Sequence, residues 1–233
     1  MKDKLVVKVT AEQLYRRKLL MKILKMAFLI LLLLFAIIYL ILYVVNSGGY
    51  FTITLDRNLR YKSSIKMSSN SNFGELETII KVKSLEYMDN ITESWIPPDI
   101  NEKEGNNSKD NYLAYTFFIK NEGESQIDYI REIKIESVIK NVDEAARVAL
   151  YFNDEKKVYA KRNASGEPEK GTIKFISNHQ VLKEKRKKFK PGEVDKYTIV
   201  IWLEGNDEDC VDDIIGGEMK MSMLITEELK KGE

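Results

Sequence analysis

Two periodicities divide this chain. Residues 26–45 (MAFLILLLLFAIIYLILYVV) run without a charge, and twenty residues at 1.5 Å per residue make about 30 Å of helix, the thickness of a bilayer's hydrocarbon core. A soluble core helix meets water on one face and shows polar residues every third or fourth position; this run has no such face, so it reads as one transmembrane helix. Thr10 followed by Gln13 has the form of a capping box, which predicts a helix start near Ala11, ahead of the membrane.

Beyond Gly49 the apolar positions alternate with period two, the mark of strands with one buried face. Leu76, Thr78, Ile80 and Val82 form one such set, and Leu113, Tyr115, Phe117 and Ile119 another. Ile127, Tyr129, Ile133 and Ile135 share a parity that would turn Arg131 inward, so a bulge or an edge position is expected there. Val148, Leu150 and Phe152 predict a strand that turns at Asn153-Asp154 into a partner through Val158 and Ala160. Pro191-Gly192 precedes a strand apolar on both faces, from Tyr197 to Leu203, which marks it as central. Met219, Met221, Met223 and Ile225 define the last strand, and between the two Asn206 or Asp207 is expected to cap a short helical turn through 211–215, closed by Gly216-Gly217.

About nine short strands without interleaved amphipathic helices argue for an all-β fold, an antiparallel jelly-roll-like sandwich preceded by one transmembrane helix. Residues 86–111 lack strand periodicity and contain Pro97-Pro98, which predicts a long functional or mobile loop with Trp95 folded back on the core. The organisation is thus a basic cytosolic segment at 1–25, a membrane helix at 26–45 and an extracytoplasmic domain at 46–233.

Charge supplies the orientation. Residues 1–45 carry eight Lys/Arg against Asp3 and Glu12, so the overall net charge of +1 conceals about +6 there and about −5 in the remainder. Arg16, Arg17, Lys18, Lys22 and Lys25 lie just before the apolar run, and the first charge after it is Asp56; positive flanks stay inside, so the C-terminal domain is expected outside the cell membrane. Tyr39, Tyr43 and Tyr50 suit the outer interface. The apolar run exceeds a cleavable signal's length, which favours a retained anchor, while Val45-Asn46-Ser47 is an imperfect cleavage site.

Candidate chemistry is sparse. The chain holds no HExxH, G-x-S-x-G, Walker A or GxGxxG motif, so no catalytic residue and no cofactor is expected. Cys210 excludes an internal disulfide, and its neighbours Asp207, Glu208, Asp209, Asp212 and Asp213 oppose thiolate formation. Asp207, Asp209, Asp212 and Asp213 are candidate ligands for Ca²⁺, although their spacing is not that of an EF-hand; solvated caps are the plainer reading. His179, the one histidine, reads as a loop residue. Lys183, Lys185, Arg186, Lys187, Lys188 and Lys190 form a basic run that suits an anionic envelope polymer or lipid headgroups, or else a solvated hairpin loop. A negatively charged outer domain argues against nucleic acid as a partner.

The run FKPGEVDKYTIVIWLEGNDEDCVDDIIGGEMKMSM, from Phe189 to Met223, resembles the C-terminal part of TasA/camelysin-type secreted proteins of Firmicutes, Gram-positive bacteria. The resemblance implies a jelly-roll sandwich outside the cell, with some members assembling into biofilm-matrix fibres by strand exchange and others described as surface proteases. The long membrane segment and the missing metalloprotease motif depart from that group. The expected function is a non-enzymatic, membrane-anchored surface protein contacting envelope polymer or other surface proteins. The alternatives are a secreted, self-assembling matrix subunit and a calcium-dependent binding module.

Overall fold

The computed structural model describes residues 10–46, 50–56, 63–83, 85 and 87–228, and the chain forms two units, Met1–Gly48 and Gly49–Glu233. In the first, one uninterrupted helix, α1 (Ala11–Asn46), carries the apolar run. Its start is the predicted capping box: the Gln13 N–H donates to Thr10 Oγ1 at 3.4 Å and the Thr10 N–H donates to Gln13 Oε1 at 3.3 Å. Thirty residues, Ala11–Leu40, form a segment long and apolar enough to cross a membrane. The cleavage-site positions Ser47 to Gly49, and the lysines of the first nine residues, lie outside the described residues.

Twelve strands make up the second unit among the described residues: β1 (Tyr50–Leu55), β2 (Ile65–Ser68), β3 (Ile79–Lys83), β4 (Gly105–Asn106), β5 (Tyr112–Asn121), β6 (Ile127–Ile139), β7 (Ala146–Phe152), β8 (Glu155–Ala160), β9 (Ile173–Lys174), β10 (Gln180–Phe189), β11 (Val194–Leu203) and β12 (Glu218–Glu228). They form a sheet of order β10-β6-β12-β1-β3 and a second of order β2-β5-β11-β7-β8-β9, with β4 also paired to β5. Pairing is antiparallel except for β1 with β12 and β8 with β9. The inner faces meet in one core, where Ile53, Ile133 and Met223 of the first sheet join Phe117, Val148 and Ile199 of the second. The predicted all-β sandwich is therefore the fold.

Local chemistry explains the turns. Asn153 and Asp154 take φ of 47° and 74° between β7 and β8, the conformation a two-residue hairpin of primed type requires and these residue types tolerate. Gly192, at φ 77°, turns the chain between β10 and β11.

The structure corrects four expectations. The strand expected from Leu76 starts at Ile79, and Leu76 is exposed. No bulge lies at Arg131, which is in register with Glu184 on one side and Ile225 on the other of an interior strand; the register shifts fall at Val181, between Arg186 and Phe189, and at Glu136 instead. Asp207 does not cap the 3-10 turn Asp212–Ile214, which Val211 precedes; its carboxylate accepts the Asp209 N–H instead. Finally, β5 and β7 are buried on both faces, because residues 87–111 fold over the outer side of their sheet. Ile91, Ile96 and Ile100 pack there on Tyr112, Ala114, Ala149, Tyr151, Val200 and Trp202. The expected loop is a third layer, pinned by Ile91 N–H to Leu203 O (2.9 Å) and Gly205 N–H to Ile91 O (2.8 Å). Trp95, expected on the core, is 68% exposed: the flat outer face of small and aromatic side chains is already filled by the three isoleucines.

If this segment is a true core layer, Ile100→Ala will cost about 2–5 kcal/mol in urea unfolding, as any buried isoleucine does. A loss below about 0.5 kcal/mol would place the segment with the surface loops.

Candidate functional site

Four groups of polar side chains stand out, and only some reach solvent. The first lies between the sheets. Alternation along β6 turns Tyr129 and Arg131 inward, and alternation along β11 does the same for Asp195 and Tyr197; all four are buried. The Tyr129 hydroxyl donates to Asp195 Oδ2 at 2.6 Å and lies 2.6 Å from the Tyr197 hydroxyl. Arg131 donates from Nη1 to the Tyr197 hydroxyl (3.3 Å) and from Nε to Glu184 Oε2 (3.1 Å), while its guanidinium lies over the Phe152 ring at 4.0 Å. Glu184 also accepts from the Tyr159 hydroxyl at 3.0 Å, and Asp195 accepts from Asn153 Nδ2 (2.7 Å) and Arg186 Nε (3.1 Å).

Burial pushes the Tyr129 phenol far up and the Tyr197 phenol up to about 12, so both hydroxyls keep their protons at any physiological pH. Burial opposes the charge on Glu184, but the hydrogen bonds and positive charge of Arg131 outweigh it and lower its pKa. Every charge in the cluster is answered by another inside it. It joins the two sheets as a structural bolt.

The second group is the acidic loop. Asp207 is held by the buried Arg147 guanidinium and accepts the Asp209 N–H at 2.8 Å through its other oxygen. Glu169, which the sequence did not single out, completes a cluster whose carboxylate oxygens lie within 4.8 Å of one another. Burial, together with the Asp207 charge, raises the Glu169 pKa against the opposing effect of Arg147, whose Nη2 stands 4.0 Å away. Asp212 and Asp213 belong to the 3-10 turn and are not part of this cluster. Of the four candidate calcium ligands, two come together, and a guanidinium already supplies positive charge beside them.

The basic run is the third group. Residues 183–188 are not a hairpin loop: they lie in β10, an edge strand, and Lys190 alone falls in the turn after it. Arg186 turns inward to Glu193 and Asp195, and Lys185 binds Asp128 and Glu228. Lys183, Lys187, Lys188 and Lys190 remain exposed. Positive side chains along an edge repel an incoming strand, so the run has a structural reason without any polyanion.

The fourth is a depression of about 180 Å³ lined by Ile91, Trp95, Lys109, Asp110, Asn111 and Tyr112, below the few hundred Å³ usual for a small-molecule site. His179 is exposed, with its carbonyl accepting the Ile135 N–H at 3.0 Å. Cys210 is half-buried and accepts from Asn90 Nδ2 at 3.2 Å.

Two outcomes test these assignments. Arg131→Ala, which removes the buried cation paired with Glu184 and a donor to the Tyr197 hydroxyl, will cost about 3–5 kcal/mol of stability. Because the folded state lowers the Glu184 pKa, that carboxylate's contribution is complete above the unfolded value, about pH 4.3, and is lost as pH falls through the lowered folded value. Glu184→Gln will therefore be less stable than wild type at pH 7, with the gap closing in acid; a gap constant from pH 7 to pH 2 by chemical denaturation would contradict the pairing.

No family model matches this chain, and no curated protein matches it. Among solved structures, a β-glucosidase from Kluyveromyces marxianus in complex with glucose aligns at 16% identity and TM-score 0.25, over 72% of this chain and 15% of that one. The N-terminal domain of PorA aligns at 11% identity and TM-score 0.25, over 70% of this chain and 96% of that domain. The chain thus spans under a fifth of the glucosidase, and likeness at this level carries no argument about fold or activity.

Proposed function

We propose that this chain is a membrane-anchored cell-surface protein whose β-sandwich makes non-enzymatic contacts at the cell envelope. The observation that carries the reading is the helix α1: continuous from Ala11, charge-free over 26–45, with five cations in the ten residues before that run and none in the eleven after it. The N-terminal segment then lies in the cytoplasm and the sandwich outside. The use made of the ionisable groups supports the non-enzymatic part, since the buried ones are spent on one another.

The matrix-subunit alternative, which a resemblance to TasA/camelysin-type proteins suggests, needs an open edge for strand addition. β10 carries outward lysines, β3 is five residues long and β9 two. Short or charged edges disfavour added strands, and the anchored reading is preferred on that ground. Calcium dependence is less favoured, because Arg147 already pairs with Asp207.

Carbonate-washed membranes of the producing cell are expected to retain the full-length chain, and protease added to intact cells to remove the sandwich while sparing the N-terminal segment. A mature species in the medium beginning between residues 46 and 50 would overturn retention and put the matrix-subunit reading first. In the same preparation, millimolar calcium should leave the Tm of the sandwich unchanged; a clear rise would restore the calcium reading.

A further inference from the structure

The helix α1 is longer than a bilayer is thick. Its first four turns, ahead of Met26, carry Arg16, Arg17, Lys18, Lys22 and Lys25. Arg16 is taken by Glu12, one turn earlier, at 2.7 Å. After Glu12 the chain has no acidic residue until Asp56, so Arg17, Lys18, Lys22 and Lys25 meet no carboxylate on their own helix beyond the one already bound to Arg16. At about 100° per residue, Lys18, Lys22 and Lys25 fall within an arc of roughly 60°, and Lys18 stands about 10 Å along the axis from Lys25. Together with Leu14, Arg17 and Met21 they line one shallow groove along the helix.

We propose that Lys18, Lys22 and Lys25, with Arg17 beside them, bind the phosphate of anionic phospholipids in the leaflet on the N-terminal side of the membrane; this rests on the membrane-spanning reading of α1. Depth supports the assignment. Lys25 adjoins the charge-free run, Lys22 lies about 4.5 Å further out, and the headgroup layer is roughly 5–8 Å thick. Lys25 and Lys22 thus stand at phosphate level, and Lys18, about 10 Å further out than Lys25, adds longer-range attraction. The ammonium groups supply the charge a phosphodiester needs. Met21, in the same groove at about the depth of Lys22, gives the headgroup an apolar neighbour, and Leu20, Ile23 and Leu24 lie off the lysine arc. Because α1 has no break between Lys18 and the span, the stripe is held at fixed depth and bearing.

The test uses the full-length chain in phosphatidylcholine bilayers containing a trace of spin-labelled phosphatidylglycerol or, in parallel, spin-labelled phosphatidylcholine. Electron paramagnetic resonance reads the motionally restricted fraction of each. Phosphatidylglycerol is expected to be preferred about threefold or more at low salt, with the preference falling toward one in the K18Q/K22Q/K25Q variant and in 1 M salt, where the Debye length is about 3 Å. Arg16→Gln, which removes the already paired cation, should leave it intact. Equal restriction of the two lipids in wild type, or a preference unchanged by the triple substitution, would overturn the stripe while leaving the span standing. No restricted component with either lipid would overturn the span itself and the stripe with it.

Discussion

A guanidinium enclosed between two sheets has to be answered on every side, and the sandwich is organised around that requirement at Arg131. Its β6 position is in register with Glu184 on β10, its planar face lies on Phe152 of β7, and its Nη1 reaches Tyr197 of β11. One side chain thereby ties an edge strand and an interior strand of one sheet to two strands of the other. An isolated ion of this kind would be driven out or neutralised; with a carboxylate, an aromatic face and a phenol converging on it, only one relative placement of the sheets leaves no partner stranded. Apolar residues alone would tolerate a slip of one sheet over the other far better than this constellation does.

The same register brings a second chain of partners into line. Tyr129, two residues before Arg131 on the same face, meets Asp195, two residues before Tyr197. Asp195 in turn fixes Asn153, whose side-chain oxygen accepts the Lys196 N–H at 2.7 Å and so locks the β7–β8 turn to β11. A strand period of two thus propagates one buried charge into a turn conformation. On the far side of the second sheet the buried ion pair is that of Asp207 with Arg147, which shares the outward parity of Ala149 and Tyr151 on β7. Elsewhere on that face the fit is by shape, with three isoleucines from 87–111 laid on a surface of Ala114, Ala149 and Val200 between Tyr112, Tyr151 and Trp202, and the adjacent buried hydroxyls of Thr116 and Thr198 satisfy each other at 2.8 Å.

Much of this was legible in the sequence wherever one residue's neighbours decide its role. The helix start at Thr10 and Gln13, the Asn153-Asp154 turn and the central position of β11 depend on local spacing, and each is found as read. What failed depends on contacts between distant residues. Arg131 suggested a bulge because its inward parity looked unaffordable, and nothing in the sequence announces that Glu184, more than fifty residues later, faces it across a ladder. The outer layer was missed because Ile91, Ile96 and Ile100 are spaced irregularly around two 3-10 turns and Pro97-Pro98, so no period marks them; the charge-free run from Tyr112 to Ile119, apolar but for Thr116, was the available signal that β5 has two buried faces. Glu169 escaped notice for the same reason, since only the fold brings it to Asp207.

Charge then separates what is internal to the fold from what is left for partners. The acidic excess of the second unit falls partly on residues that are already bound: Asp207 to Arg147, Asp195 to Arg186, and Asp143 and Glu144 to Lys161. The lysines of β10 keep an edge closed, and two of the six cations in that run are consumed by carboxylates. On α1 the balance is reversed, because after Glu12 there is no carboxylate to consume anything. Under the membrane-spanning reading of α1, a cation with no spare carboxylate on its own helix finds its counter-charge in the surroundings, and beside a charge-free run of bilayer length the lipid phosphate layer is a dense source of it. The cations of α1 thus look outward for partners, while the buried charges of the sandwich are answered from within.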